Sequence, residues 1–199
     1  MKNSVKNILC LSIITLVAGF GLGYVYELTK EPILLMEEKQ RMDAYNTVFA
    51  EASSFSDELD ISSAPSALSA SGISGVDINS CVLALDASGN TVGYVINSTS
   101  HNGYGGDITV STGIGADGVV KGIEMLSISE TAGLGMKAKE PKFKDQFADK
   151  AVTQFSYTKT GAKSDFEIDA ISGATITTKA VTDAVNAALA YFESLGGGQ

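Results

Sequence analysis

The spacing of apolar and polar positions changes period several times along the chain, and each change marks an element. From Ile8 to Tyr26 the run ILCLSIITLVAGFGLGYVY is almost unbroken by polar residues. At about 1.5 Å of rise per residue, such a run matches the hydrocarbon thickness of a bilayer. Pro32 interrupts the pattern. Beyond it, Ile33 to Ala52 reads as a helix, with Leu34, Leu35, Met36, Met42, Tyr45, Val48 and Phe49 on one side. Glu37, Glu38, Lys39 and Arg41 fall on another. Ser53 to Gly75 then turns to Ser, Ala, Asp and Gly, including SSAPSALSASGISG, and reads as a linker.

From Val76 the period becomes two. Ile78–Asp86, Thr91–Asn97, Tyr104–Ile114 and Val119–Ser129 are strand candidates, with the turns ASGN and GADG between pairs of them. Successive strands joined by short turns predict an antiparallel sheet. Residues 130–150 read as loop and short helix, with Phe143 and Phe147 at i, i+4 as core anchors. Thr178–Leu195 places Val181, Ala184, Val185, Ala188, Leu189, Phe192 and Leu195 at spacings of three and four. That is one buried face of an amphipathic helix, ended by Gly196. The fold class is therefore α+β, an antiparallel sheet with flanking helices, preceded by one N-terminal transmembrane helix. The expected division is a cytoplasmic tail at 1–7, an anchor at 8–26, a helix and Ser/Ala-rich linker at 27–75, and a compact domain at 76–195.

Charge and composition narrow the function. The chain has 199 residues and a formal net charge of −9, which argues against a nucleic-acid partner. His101 is its one histidine, and the two cysteines, Cys10 and Cys81, lie far apart with no CxxC spacing. Histidine-rich metal sites, zinc ribbons and iron–sulfur clusters are disfavoured accordingly. Lys2 and Lys6 precede the apolar run, while Glu27, Glu31, Glu37 and Glu38 close or follow it. This asymmetry predicts a single-pass protein of the cytoplasmic (inner) membrane, N-terminus inside and the rest on the extracytoplasmic side. A cleaved signal peptide is the competing reading. The long run and the lack of an A-x-A site favour a retained anchor.

Few arrangements for catalysis stand out. Ser172 sits in SGAT, which is not the G-x-S-x-G elbow, and a triad would depend on His101 alone. Asp165, Glu167 and Asp169 alternate with Phe166 and Ile168, the pattern of a solvated strand face. Three glycine-rich stretches remain: HNGYGGDI (101–108), SETAGLGMK (129–137) and DAISGATITT (169–178). Each alone reads as a turn. Together they read as backbone segments approaching one flat or phosphorylated ligand. In the third, Thr175 falls just before the helix, whose first N–H groups favour a phosphate. The plainer role for Thr175, Thr177 or Thr178 is helix capping.

The run Asp169-Ala170-Ile171-Ser172-Gly173-Ala174-Thr175 resembles the D-x-x-(S/T)-G-A-T signature of the FMN-binding domain family. Gly103-Tyr104-Gly105-Gly106 is similar to that family's GYGG segment, and Glu130-Thr131-Ala132-Gly133-Leu134-Gly135 to its ETPGLG segment. Ala132 stands where the family has proline, which loosens one loop. The resemblance spans roughly residues 75–195 and implies FMN bound covalently, its phosphate esterified to Thr175 by a flavin transferase. Asp169, Ser172, Gly173 and Ala174 are then the transferase-recognition positions. Tyr104, Gly105, Glu130, Thr131, Gly133, Leu134, Gly135 and Lys137 are the implied flavin neighbours. Family members include the G subunit of Rnf-type ferredoxin:NAD oxidoreductases and the C subunit of sodium-translocating NADH:quinone reductases, and the short chain favours the former. The implied role is that of an electron carrier without catalysis of its own, partnered by the other membrane and redox subunits of an ion-translocating complex. A stand-alone extracytoplasmic flavin reductase and a flavin-free binding module are the alternatives.

Overall fold

The computed structural model describes residues 2–196. Met1 of the expected tail and the side chains of residues 2–5 lie outside the described part. The chain forms two compact units that divide between Arg41 and Met42. The first helix, α1, runs from Lys2 to Val48 with Pro32 inside it. Pro32 therefore does not end the helix, contrary to the sequence expectation. A proline removes one intrahelical hydrogen bond and costs about 3 kcal/mol, whereas elongation on either side of it adds one bond per residue. Within Lys6–Val48 an 18-residue window reaches a mean hydropathy of 2.2, and none of it is buried inside the chain. The helix is long and apolar enough to cross a membrane.

In the second unit five strands follow one another in space as they do in sequence. These are β1 (Ser54–Phe55), β2 (Val76–Leu85), β3 (Thr91–Ser100), β4 (Ile108–Gly115) and β5 (Val120–Ile128), all antiparallel. The expected linker is thus ordered in part. Phe55 pairs with Ala84, and a short helix, α2 (Ala64–Ala70), buries Ala64 and Leu68 in the core. Leu59 and Ile61 pack against the same core. Small residues hid this segment, because helices lined by Ala and Ser pack closely without a strong apolar signal. After β5 come a short helix, α3 (Pro141–Lys144), and a parallel pair, β6 (Ser156–Thr158) with β7 (Glu167–Asp169). The last helix, α4, spans Thr175–Ser194.

Helix α4 lies on one face of the sheet. Ser98 of β3 donates its hydroxyl to the Ala184 carbonyl at 2.9 Å. Val181, Val185, Leu189 and Phe192 of the predicted stripe are all within 2% of full burial. Each contributes about 1.5–3 kcal/mol. Ala180, Ala187 and Tyr191 are equally buried although they lie off that stripe. Coverage of the helix's other side explains it. The Tyr191 hydroxyl donates to the Asp60 carbonyl, and Asn186 exchanges two hydrogen bonds with the backbone of Phe155. Phe147 packs edge-on against both Phe143 and Phe155, as anchors of the same core.

The opposite face receives the end of α1. Tyr45, Val48 and Phe49 form a second cluster with Val82, Ala84 and Val95. The Tyr45 hydroxyl accepts from Asn97 Nδ2 at 2.8 Å, and Asn97 reaches Ser80 as well. Gly113 of β4 and Gly122 of β5 face each other in register and form the floor beneath Val48. A Cβ on Gly113 would overlap the Val48 carbonyl, whereas on Gly122 it would meet Val48 Cα at an ordinary 3.8 Å. Gly113→Ala is therefore expected to lower stability by about 1–3 kcal/mol. Gly122→Ala is expected to change it much less, and chemical unfolding of the two variants in detergent checks the contrast.

Candidate functional site

The segment from Asp169 to Ala174 turns the end of β7 into the start of α4, and three sets of hydrogen bonds hold it. Gln146 Oε1 accepts the Asp169 N–H at 2.6 Å, and the Asp169 carboxylate accepts the Ala162 N–H. Thr178 reaches back from the helix, where its hydroxyl accepts the Ile171 N–H and donates to the Ala174 carbonyl, both at 3.0 Å. The Ala174 N–H donates to the Ile171 carbonyl. Gly173 has φ +78°, a left-handed turn that disfavours any side chain.

Thr175 is the first residue of α4, three residues earlier than the apolar stripe indicated. The cap position falls to Ala174, and no side chain bonds the first-turn N–H groups. The expected capping by a threonine is not made. Ala174 has no side-chain oxygen to offer, so the positive end of the helix is left without a capping oxygen.

That end opens on a cavity of about 550 Å³. Gly173, Ala174, Thr175, Ile176 and Thr177 line it from one side. Tyr104, Glu130, Thr131, Leu134 and Gly135 line it from the two other glycine-rich loops. The three stretches singled out in the sequence therefore converge. Thr175 is half-buried there, while Tyr104, Leu134 and Ile176 are exposed apolar side chains on the lining. Glu130 is buried, and its Oε1 accepts the N–H groups of Tyr104 and Gly105.

Not every expected residue faces this cavity. Asp169, Ser172 and Lys137 line a neighbouring one of about 450 Å³, together with Gln146 and Phe143. Gly133, at φ +75°, shapes the 129–137 loop, and Gly105 contributes its N–H to Glu130. Ile176 went unread in the sequence, and Thr177 was read there only as a capping candidate. For Ile176 there was a signal: an apolar residue at the helix start that lies off the buried stripe. The Cys81 thiol is buried, and burial pushes its pKa up to about 12, which leaves it inert.

Comparison with known proteins decides the family. A model of the FMN-binding domain matches residues 103–190. The G subunit of the ion-translocating oxidoreductase complex of Methanosarcina acetivorans is 32% identical over 201 residues, covering 98% of this chain and 98% of its own. The chain belongs to the family of G subunits of ion-translocating oxidoreductase complexes. The corresponding G subunit of Vibrio vulnificus is 32% identical over 93% of this chain and 88% of its own. The G subunit of the Na(+)-translocating ferredoxin:NAD(+) oxidoreductase complex of Acetobacterium woodii is 41% identical over 55% of this chain and 53% of its own. Among solved structures, that of Shewanella oneidensis NqrC shares the fold at TM-score 0.50 and 20% identity, covering 59% of this chain and 60% of that one.

The loop that carries Tyr104 is stapled by the family member's one histidine. His101 Nδ1 lies 2.9 Å from Asp107 and Nε2 lies 3.1 Å from Asp77. Hydrogen bonds to Asp107 first and Asp77 second raise its pKa. A folded pKa above the unfolded value of about 6.5 gives stabilisation that is complete below that pH and is lost as pH rises through the folded pKa. An NMR titration of the imidazole is expected to show a midpoint above about 6.5. Asp107→Asn is expected to lower that midpoint.

Proposed function

We propose that this chain is the membrane-anchored, electron-transferring G subunit of an ion-translocating ferredoxin:NAD oxidoreductase complex, carrying FMN as a phosphoester on Thr175. The observation that carries the covalent link is the character of the cavity. Thr175 presents a hydroxyl at an uncapped helix start, and no lysine, arginine or histidine is among the residues that line the space. A flavin phosphate there meets helix N–H groups and hydroxyls but no side-chain cation. That set favours an anion without holding a diffusible one tightly. A bond to the threonine removes the dependence on free FMN concentration.

The residues fit the group. The first turn of α4 and Thr177 would face the phosphate, and Tyr104, Leu134 and Ile176 supply apolar surface suited to a flat ring. Asp169 and Ser172, exposed on the other side of the turn, are available to a flavin transferase that matures the protein. Bound flavin supplies the redox chemistry; the chain supplies position and electrostatics. In this reading residues 8–26 anchor the protein in the cytoplasmic membrane, with the N-terminus in the cytoplasm and the flavin domain on the extracytoplasmic side. Its partners are the other membrane and redox subunits of the complex.

Intact mass of protein co-produced with a flavin transferase tests the reading. The native chain is expected to gain about 440 Da and to stay yellow after full unfolding. Thr175→Ala is expected to lose both properties while keeping its fold.

A further inference from the structure

Glu130 is 9% exposed, and Oε1 of its carboxylate is shared between two backbone donors, Tyr104 N–H at 2.8 Å and Gly105 N–H at 3.2 Å. The glycines around it are close-packed, Gly103 chiefly against the Gly106 carbonyl and Gly105 against the Ser129 carbonyl, with Glu130 next to Gly103 and Gly135. A Cβ on Gly103 would stand 3.0 Å from Oε1. On Gly135 a Cβ would stand 2.7 Å from Glu130 Cβ, 2.8 Å from its Oε2 and 2.6 Å from Thr177 Oγ1. The side chain therefore occupies the junction of the 101–107 loop, the 129–137 loop and the first turn of α4. Contacts this close leave room for hydrogen alone on the neighbouring Cα atoms.

We propose that Glu130 is a positioning residue that sets the wall of the cavity by pinning the Tyr104–Gly105 backbone to the 129–137 loop. Bonds from a carboxylate to backbone N–H groups are stronger than neutral ones and fix the path of the chain, whatever its side chains. His101 staples the base of this loop to Asp107 and Asp77. At its tip the Tyr104 and Gly105 N–H groups go to Glu130, which holds the 71%-exposed Tyr104 at the mouth. One oxygen is fully used by the loop, and the residue acts on a ligand through Tyr104. The consequence for flavin rests on the functional reading above; the clamp itself is a property of the polypeptide.

Hydrogen exchange at the Tyr104 and Gly105 amides tests the clamp in full-length Thr175→Ala protein, where no flavin link intervenes. Glu130→Ala and Glu130→Asp, which is one methylene too short to reach, are expected to speed exchange by about tenfold or more. Glu130→Gln keeps an acceptor oxygen at the same reach and is expected to stay within about threefold of the parent. Unchanged exchange in the Ala and Asp variants, or Gln as fast as Asp, overturns the proposal. Exchange across β2 and β3 reports intact folding, and the Asp–Gln pair carries the comparison if Ala does not fold. With Thr175 restored, Glu130→Asp is expected to alter the visible circular dichroism of the flavin, and Glu130→Gln to preserve its shape. Identical spectra in both overturn the link from clamp to flavin. Protein without flavin but with the exchange pattern intact sinks the functional reading and leaves the clamp standing.

Discussion

Everything at the cavity depends on how a strand becomes a buried helix between Asp169 and Thr175. The helix must start at a fixed place, because Val181, Val185 and Leu189 have to meet the sheet. The turn is accordingly tied from three directions, by Gln146 at Asp169, by Thr178 at Ile171 and by the left-handed Gly173. Each hydrogen bond is worth only about 1 kcal/mol net, but together they leave the turn one conformation. The Thr178 hydroxyl holds the loop that precedes the helix, and the cap position itself is an alanine. An uncapped first turn beside a half-buried threonine is the result.

The sheet serves two masters through its two faces. One face carries α4, and with it the turn just described. The other accepts Val48 and Phe49, over strands thinned to glycine at Gly93, Gly113 and Gly122. Buried polar side chains mark both contacts: Ser98 toward the Ala184 carbonyl, and Asn97 toward Tyr45 and Ser80. Such bonds add little net stability, yet they penalise any slip in register, since a slip would strand a buried donor. Precision at the helix start thus rests on strands clamped from both sides.

Most of the sheet and α4 was legible because each follows a strict period, two for the strands and three-to-four for the helix. Strand limits moved by a few residues where loop and strand share composition, as at Tyr104–Asp107, which is loop. What stayed hidden had no period. Residues 54–70 fold through small side chains and a two-residue strand, neither of which produces an apolar pattern. Pro32 misled because local propensity is a weak prior in a long helix. The glycine-rich motifs marked three loops that line one cavity. They could not divide Thr175 from Ser172, or Leu134 from Lys137, between two adjoining cavities, since those divisions are made by the turn at Gly173 and by the short helical turn that begins at Gly135.

For the proposed phosphate site, the charge distribution around Thr175 would be unusual, and it bears on both the proposed tether and the proposed clamp. A free phosphomonoester carries about −1.5 to −2 charge at neutral pH, and esterification to a hydroxyl reduces it. The chain offers that group a helix end worth roughly half a charge, and places its own carboxylate, Glu130, in the same lining. With a net charge of −9 the protein adds no compensating field. A cationic residue in place of Glu130 would hold a loose phosphate better, but it could not accept the two backbone donors that keep Tyr104 at the mouth. With a ligand bonded to Thr175 as proposed, affinity would not have to come from charge, and the acid would be free to organise the loops. A covalent link of the kind proposed would make a carboxylate tolerable there.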